Sequence, residues 1–215
     1  MMTAPKLDGR VERGDQTRRA ILDRAAAIAS VEGLEGVSIG RLATELEVSK
    51  SGVFAHFGSK EELQLATVRW AREVFIAAVI TPAHRSPAGL RRLWRLCDAW
   101  LDYSTRRVFP GGCFFASVTA EFDARPGRVR DAIAAAHREW QRYLEESIAT
   151  ARELGELSAD PDPRQLAFEL DAFTRATQDA LLFDEQGVYT RARRAILHRL
   201  RAVATDPAVL PKSPR

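Results

Sequence analysis

Glu47-Val48-Ser49-Lys50-Ser51-Gly52-Val53-Phe54-Ala55-His56-Phe57-Gly58-Ser59-Lys60-Glu61-Glu62-Leu63 is the stretch on which the fold turns. Upstream of it, Ile39, Leu42, Ala43 and Leu46 recur at helical spacing, and the spacing predicts a short helix ending at Leu46. Four residues, Glu47 to Lys50, lead to a second short helix over 51–57 with Val53, Phe54 and Phe57 as its apolar stripe. Two short helices joined by such a turn fit a helix-turn-helix, whose second helix enters the DNA major groove. Val48 plugs the turn into the core. Ser51, Gly52 and Ala55 keep the outer face low, so that backbone can approach a duplex. Lys50 and His56 are placed to reach phosphates.

The quoted stretch closes on another helix start. Ser59 and Glu62 have capping-box spacing. The free N–H groups of a helix N-terminus, with Lys60 beside them, suit a phosphate. Lysine is rare here, at positions 6, 50, 60 and 212 only, against 28 arginines. Two of the four therefore flank the expected recognition helix.

The pattern stays helical outward. Ile21, Ala25, Ile28 and Val31 form a first stripe, closed by Gly33. Leu63, Ala66, Trp70, Val74 and Ala77 form a fourth, ended by Pro82. A fifth runs through Leu90, Leu93, Cys97, Trp100 and Leu101, with Ser86 and Pro87 as cap and first residue. A short sixth spans 112–122. A seventh carries Val129, Ile133, Ala136, Trp140, Leu144, Ile148 and Ala151. Asp162-Pro163-Arg164-Gln165 opens an eighth with Leu166, Leu170, Phe173, Thr177 and Leu181. Gly187 precedes a ninth with Val188, Ala192, Ile196, Leu200 and Val203. There are no alternating strand patterns, no Asn-Gly or Asp-Gly turns and no Asn at all. The expectation is an all-α chain of nine helices. A DNA-binding module over 15–60 leads into a larger helical body over 61–205, between disordered tails at 1–14 and 206–215.

Composition narrows the class. The 215 residues are 46% hydrophobic and 28% charged, which is ordinary for a globular protein. A chain of this length buries about 70% of its unfolded surface without disulfide or metal staples. The longest apolar run, Val74 to Ile80, is far short of the roughly 20 residues of a membrane span, so no membrane partner is expected. The N-terminus lacks the apolar core of a secretory signal. Cys97 and Cys113 lie among apolar neighbours and read as buried thiols in a reducing, cytoplasmic compartment. The net charge of +3 does not by itself announce a nucleic-acid partner.

Residues 17–65 resemble the tetracycline-repressor (TetR) family of transcriptional regulators. The likeness rests on Thr17-Arg18-Arg19-Ala20-Ile21-Leu22-Asp23-Arg24-Ala25-Ala26, then Gly33-Leu34-Glu35-Gly36-Val37-Ser38-Ile39 and Leu42-Ala43. It ends with the run from Val48 to Leu63. Glu47 departs from the glycine usual in the family's turn, and Gly52 and Ala55 replace larger residues. The resemblance implies a nine-helix TetR-like fold and a homodimer on double-stranded operator DNA. DNA contacts are expected at Thr17, Arg18, Ser38, Arg41, Ser49, Lys50, Ser51, Gly52, Phe54, Ala55, His56 and Lys60. It also implies a small-molecule pocket among the central helices and dimerisation through helices eight and nine, burying Leu170, Phe173, Leu181, Ile196 and Leu200.

The body is rich in aromatics, so the expected effector is largely apolar or aromatic. Trp94, Phe114, Phe122 and Trp140 are its aromatic contacts. Asp98, Ser117, Glu121, His137, Thr174 and Gln178 are the polar ones, since buried polar groups need partners. No cofactor, metal or catalytic residue is expected. The histidines at 56, 84, 137 and 198 have no His, Cys, Asp or Glu three or four residues away, and no Walker loop, Gly-x-Gly-x-x-Gly or Gly-x-Ser-x-Gly occurs. The alternatives are an all-α ligand-binding or scaffold protein whose helix-turn-helix does not bind DNA and, more remotely, an α-helical enzyme.

Overall fold

The computed structural model describes residues 9–158, 162–178 and 185–213. Its long elements are α1 (Gly9–Glu32), α2 (Ile39–Glu45), α3 (Lys50–Phe57) and α4 (Lys60–Phe75). A π-turn, Ile76–Ile80, and a last turn, Thr81–Ala83, prolong α4. The body adds α5 (Leu90–Thr105), α6 (Phe114–Phe122), α7 (Arg128–Glu153), α8 (Pro163–Arg175) and α9 (Glu185–Val203). Nine helices and no strand are thus found among the described residues, and the all-α expectation holds.

The caps explain the breaks. Ser38, Ser49 and Ser59 accept the backbone N–H of Arg41, Gly52 and Glu62 at 3.2, 3.0 and 3.1 Å. Asp162 caps α8 through Gln165 N–H at 3.3 Å, as its sequence foretold. Glu47 sits in the left-handed region at φ 55°, so the turn does require that backbone there. The side chain costs about 1 kcal/mol relative to the strain-free residue.

Several expectations need correction. Helix α1 begins at Gly9, so residues 9–14 are its first turns and not a tail; the buried face from Ile21 onward anchors a helix that propagates back through Arg10, Glu12 and Arg13 despite Gly9 and Gly14. Residues 206–210 are also ordered: Asp206 caps a 3₁₀ turn through Ala208 N–H at 2.9 Å, and Leu210 is buried. Helix α5 starts at Leu90, not Pro87, because the Glu156 carboxylate accepts Leu90 N–H at 2.6 Å and supplies the cap from a distant loop. Val31, placed on the inner stripe, is 63% exposed near the end of α1.

Helices α1 to α3 pack around Ile21, Ala25, Leu34, Leu42 and Val53, with Val48 against them as expected of a plug. In the body, α7 packs on α4, α5, α6 and α8, and α9 packs on α5 and α8. Helix α1 packs on both α4 and α6, which joins module to body.

Candidate DNA face and effector cavity

The recognition helix presents Lys50, Ser51, Gly52, Phe54 and Ala55 to solvent, with His56 half-buried. Phe54 is 54% exposed, a large aromatic ring half open to solvent. The hydroxyls of Ser38 and Ser49 are engaged as caps, and Thr17 bonds back to Arg13 O at 2.9 Å.

Three more expected DNA contacts have intramolecular duties. Arg18 donates to His56 O at 2.8 Å and lies 4.6 Å over the Phe57 ring, so it pins the end of α3 to α1. Arg41 is held by Glu32 at 2.5 and 2.7 Å and by Glu45 at 2.8 Å. Lys60 binds the Glu35 carboxylate at 2.8 Å and its carbonyl at 3.1 Å. The second half of the Ser59 capping box is not closed by Glu62, whose carboxylate instead accepts Arg128 of α7 at 2.7 Å.

In the body, α4, α5, α6, α7 and α8 line a cavity of about 120 Å³ that is partly open to solvent. Its walls are aromatic. Phe75 meets Trp100 and Trp140 edge-on at 6.1 and 5.2 Å, and Trp100 meets Trp140 at 5.2 Å. Phe115 and Tyr143 complete them, with Ile76 and Ile80 from the π-turn. Such a turn often marks a functional site. The polar groups at the wall are Arg72, Thr119, His137, Glu139, Asp171, Arg175 and Gln178. Arg72 and Glu139 form a two-pronged pair, one arm at 2.7 Å.

Of the ten expected ligand contacts, His137, Trp140 and Gln178 reach the wall. The other seven do not. Trp94, Phe114 and Phe122 are buried in core packing. The Asp98 carboxylate is taken by Arg193 and Arg95, each at 2.9 Å, which ties α9 to α5. Thr174 donates to Asp171 O at 2.8 Å within its own helix. Ser117 and Glu121 face the DNA-binding module instead. Ser117 donates to Ser30 O at 2.8 Å, and Glu121 accepts Leu34 and Glu35 N–H at 2.6 and 2.9 Å.

Those last contacts give α6 two employments. Its Phe115, Ala116 and Thr119 line the cavity, while Gly111, Ser117 and Glu121 grip the end of α1 and the turn after it. The approach at Gly111 admits only glycine, because a Cβ there would lie 1.9 Å from Ser30 O. Helix α4, packed on α1, is one link between body and module; α6 is a second.

Asp171 was missed from sequence. A signal existed: it is a carboxylate set among Leu166, Ala167, Leu170 and Thr174 on the buried stripe of α8. It is 5% exposed and accepts the Trp140 indole N–H at 3.2 Å. Burial pushes its carboxyl above the usual range, and Arg175, His137, Trp140 and Gln141 pull against that rise. Burial likewise lowers His137 toward its neutral form. The thiols are buried as expected, and burial raises Cys97 to about 12. Among the described residues no cluster of His, Cys, Asp or Glu could hold a metal, and no helix is long and apolar enough to cross a membrane.

Leu170, Ile196 and Leu200, expected across a dimer interface, are 0% exposed within the single chain and belong to its own core. Phe173 is partly buried against that core. Leu181 lies outside the described residues. The apolar strip that α8 does leave open is Phe168, at 64% exposure, with Ala172 and Ala176 one and two turns on.

A helix-turn-helix module joined to a helical body with a cavity is the architecture of a ligand-binding transcription factor. Residues 21–67 match the family described as bacterial regulatory proteins, tetR family, and residues 89–196 match the tetracyclin repressor-like C-terminal domain. The chain belongs to the TetR family of transcriptional regulators. The curated regulator AcuR of Cereibacter sphaeroides is 28% identical over 153 residues, covering 70% of this chain and 68% of AcuR. Among solved structures, the TetR-family regulator SCO4454 of Streptomyces coelicolor superposes with a TM-score of 0.74 at 25% identity, over 88% of this chain and 96% of the other. AibR, solved with isovaleryl coenzyme A and operator DNA, has a TM-score of 0.65 at 22% identity, over 86% and 96%. Members of this family are generally non-enzymatic transcription factors.

Proposed function

We propose that this regulator is a homodimeric repressor which binds a palindromic operator and is released by a small, largely apolar or aromatic effector. The observation that carries the reading is the double use of α6, one helix that lines the cavity and holds the DNA-binding module. An effector that prefers one seating of α6 changes where α1 and α3 sit. Its differential affinity for the two seatings sets how far DNA affinity falls.

On the DNA side, Lys50, His56 and Thr17 are the phosphate contacts, joined by Lys60 when it leaves Glu35. These contacts supply affinity without sequence information. Phe54 is the base reader: an exposed ring on the outer face of α3 is suited to the thymine methyl group in the major groove. Arg18 and Arg41 act by holding α1, α2 and α3 in register. The dimer uses the open strip of α8 around Phe168, and its two recognition helices fall on half-sites about 34–36 Å apart.

The cavity sets the effector's size. An engineered 150 Å³ apolar cavity holds benzene, so a void of about 120 Å³ suits one ring or a short branched chain. AibR, of the same fold, is solved with both isovaleryl coenzyme A and operator DNA bound, which supports a small-molecule site and a DNA site in one chain.

The test is selection of bound fragments from the source genome, followed by mobility shift on the shared sequence over a salt series. The expected result is a palindrome bound by a dimer, with affinity falling steeply with salt. A monomer in light scattering, or no salt-dependent shift on any fragment, overturns the reading in favour of a ligand-binding protein that does not bind DNA.

A further inference from the structure

The charged groups at the cavity wall say more about the effector than its size does. Arg72 and Glu139 neutralise each other. Arg175 has a side chain 41% exposed, and its Nε stands 3.9 Å from Asp171 Oδ2, beyond hydrogen-bond reach. The Asp171 side chain is only 7% exposed, and the hydrogen bonds it accepts come from the neutral Trp140 indole and Gln141 amide. Of the charges at this wall, the most buried is therefore negative, and its one countercharge, the largely exposed Arg175, engages it only loosely. Around it stand Phe75, Trp100, Phe115, Trp140 and Tyr143, whose ring faces carry negative potential. Aromatic faces attract a cation and repel an anion, most strongly where water is excluded.

We propose that the cavity is built for a compact organic monocation, an alkyl- or arylammonium with its apolar part among the rings and Asp171 as its counter-ion. The inference rests on the effector reading above and names the ligand's class. Carrying a buried carboxylate costs the empty protein stability, and the ligand's charge repays that cost, so binding is selective for positive charge and not merely for apolar bulk. His137 stays compatible with a cation because burial favours its uncharged form. Gln178 offers a neutral hydrogen-bond partner at the same wall.

Benzylammonium, benzyl alcohol and benzoate share one ring and differ in charge. Titration calorimetry of each against the full chain at neutral pH should give benzylammonium the tightest binding, by roughly tenfold or more over benzyl alcohol, with benzoate weakest. Asp171→Asn keeps an acceptor for Trp140 and should level benzylammonium with benzyl alcohol, while Asp171→Glu restores part of the preference. Benzoate as the best ligand, three equal affinities, no benzylammonium binding at millimolar concentration, or an Asp171→Asn protein that keeps the wild-type ranking would each overturn the assignment. If Asp171→Asn does not fold, the ranking on the wild-type protein decides alone. Operator binding measured without any of the three compounds separates the two readings. A chain that shifts operator DNA but ignores benzylammonium keeps the regulator reading and loses this one, and the reverse pattern loses the regulator reading.

Discussion

Glu121→Ala isolates the grip of α6 on the DNA-binding module. The Glu121 carboxylate accepts two backbone N–H groups, Leu34 at 2.6 Å and Glu35 at 2.9 Å, with its side chain 15% exposed. Hydrogen bonds to a charged group are worth about 1.5–3 kcal/mol each, but the freed N–H groups regain some water, so the pair is worth about 2–4 kcal/mol. Lost locally, that amount speeds hydrogen exchange of the Leu34 and Glu35 amides by roughly 30- to 1000-fold. Glu121 does not line the cavity, so ligand affinity should change by less than about threefold. Typical couplings of 1–3 kcal/mol correspond to a 5- to 150-fold change in DNA affinity on ligand binding; the variant should retain no more than about threefold. The assays are exchange by mass spectrometry, and fluorescence anisotropy on operator DNA with and without a compound that raises the melting temperature. Rapid exchange together with undiminished release would refute α6 as the coupling element and leave α4 alone in that role.

Three further outcomes follow from the packing. Arg193→Leu strands Asp98 beneath α9 with Arg95 as its only close cation. The cost should be about 3 kcal/mol, the low end for a broken buried pair, seen in thermal denaturation as a drop of roughly 6–12 °C; a change under 2 °C, on the order of 0.5 kcal/mol, contradicts the assigned burial. Because Glu35 holds Lys60, Lys60→Ala should cut the salt slope of DNA binding by about one unit in a Glu35→Gln background and by less in the wild type. Equal slope changes in the two backgrounds would mean that the pair opens freely on DNA. Asp171 has its carboxyl raised mainly by burial, so its stability cost is full above the folded-state value and vanishes below the unfolded one. Asp171→Asn should therefore raise the melting temperature at pH 7, with a gain that shrinks as pH falls toward the ordinary aspartate range, and a gain that is constant with pH would exclude titration as its source.

The helix-turn-helix was legible because everything that makes it is local. Serines at caps, the 3.6-residue apolar period and a four-residue turn act between neighbours in the chain, and neighbours are what a sequence lists. The same holds for α8, where Asp162, Pro163 and Gln165 announce the first turn. The strained backbone at Glu47 was signalled by the resemblance alone, through the glycine usual at that place.

The cavity was not legible to the same depth. Helical periodicity says that a face is buried, but not against what. Asp98 and Asp171 both sit on buried faces, yet Arg193 arrives 95 residues later to satisfy the first, while no cation comes as close to the second. Ser117 and Glu121 are polar residues beside apolar ones, as any pocket residue is, and only the packing of α6 on α1 turns them toward the module. Leu170, Ile196 and Leu200 have the spacing of an interface and of a core alike, and the choice fell to whether α5, α8 and α9 of one chain cover them. Sequence by itself determined the elements, several of their serine and aspartate caps, and the family. Tertiary structure decided which buried polar groups are already partnered, because desolvation and countercharge depend on residues far apart in the chain meeting at a few ångströms.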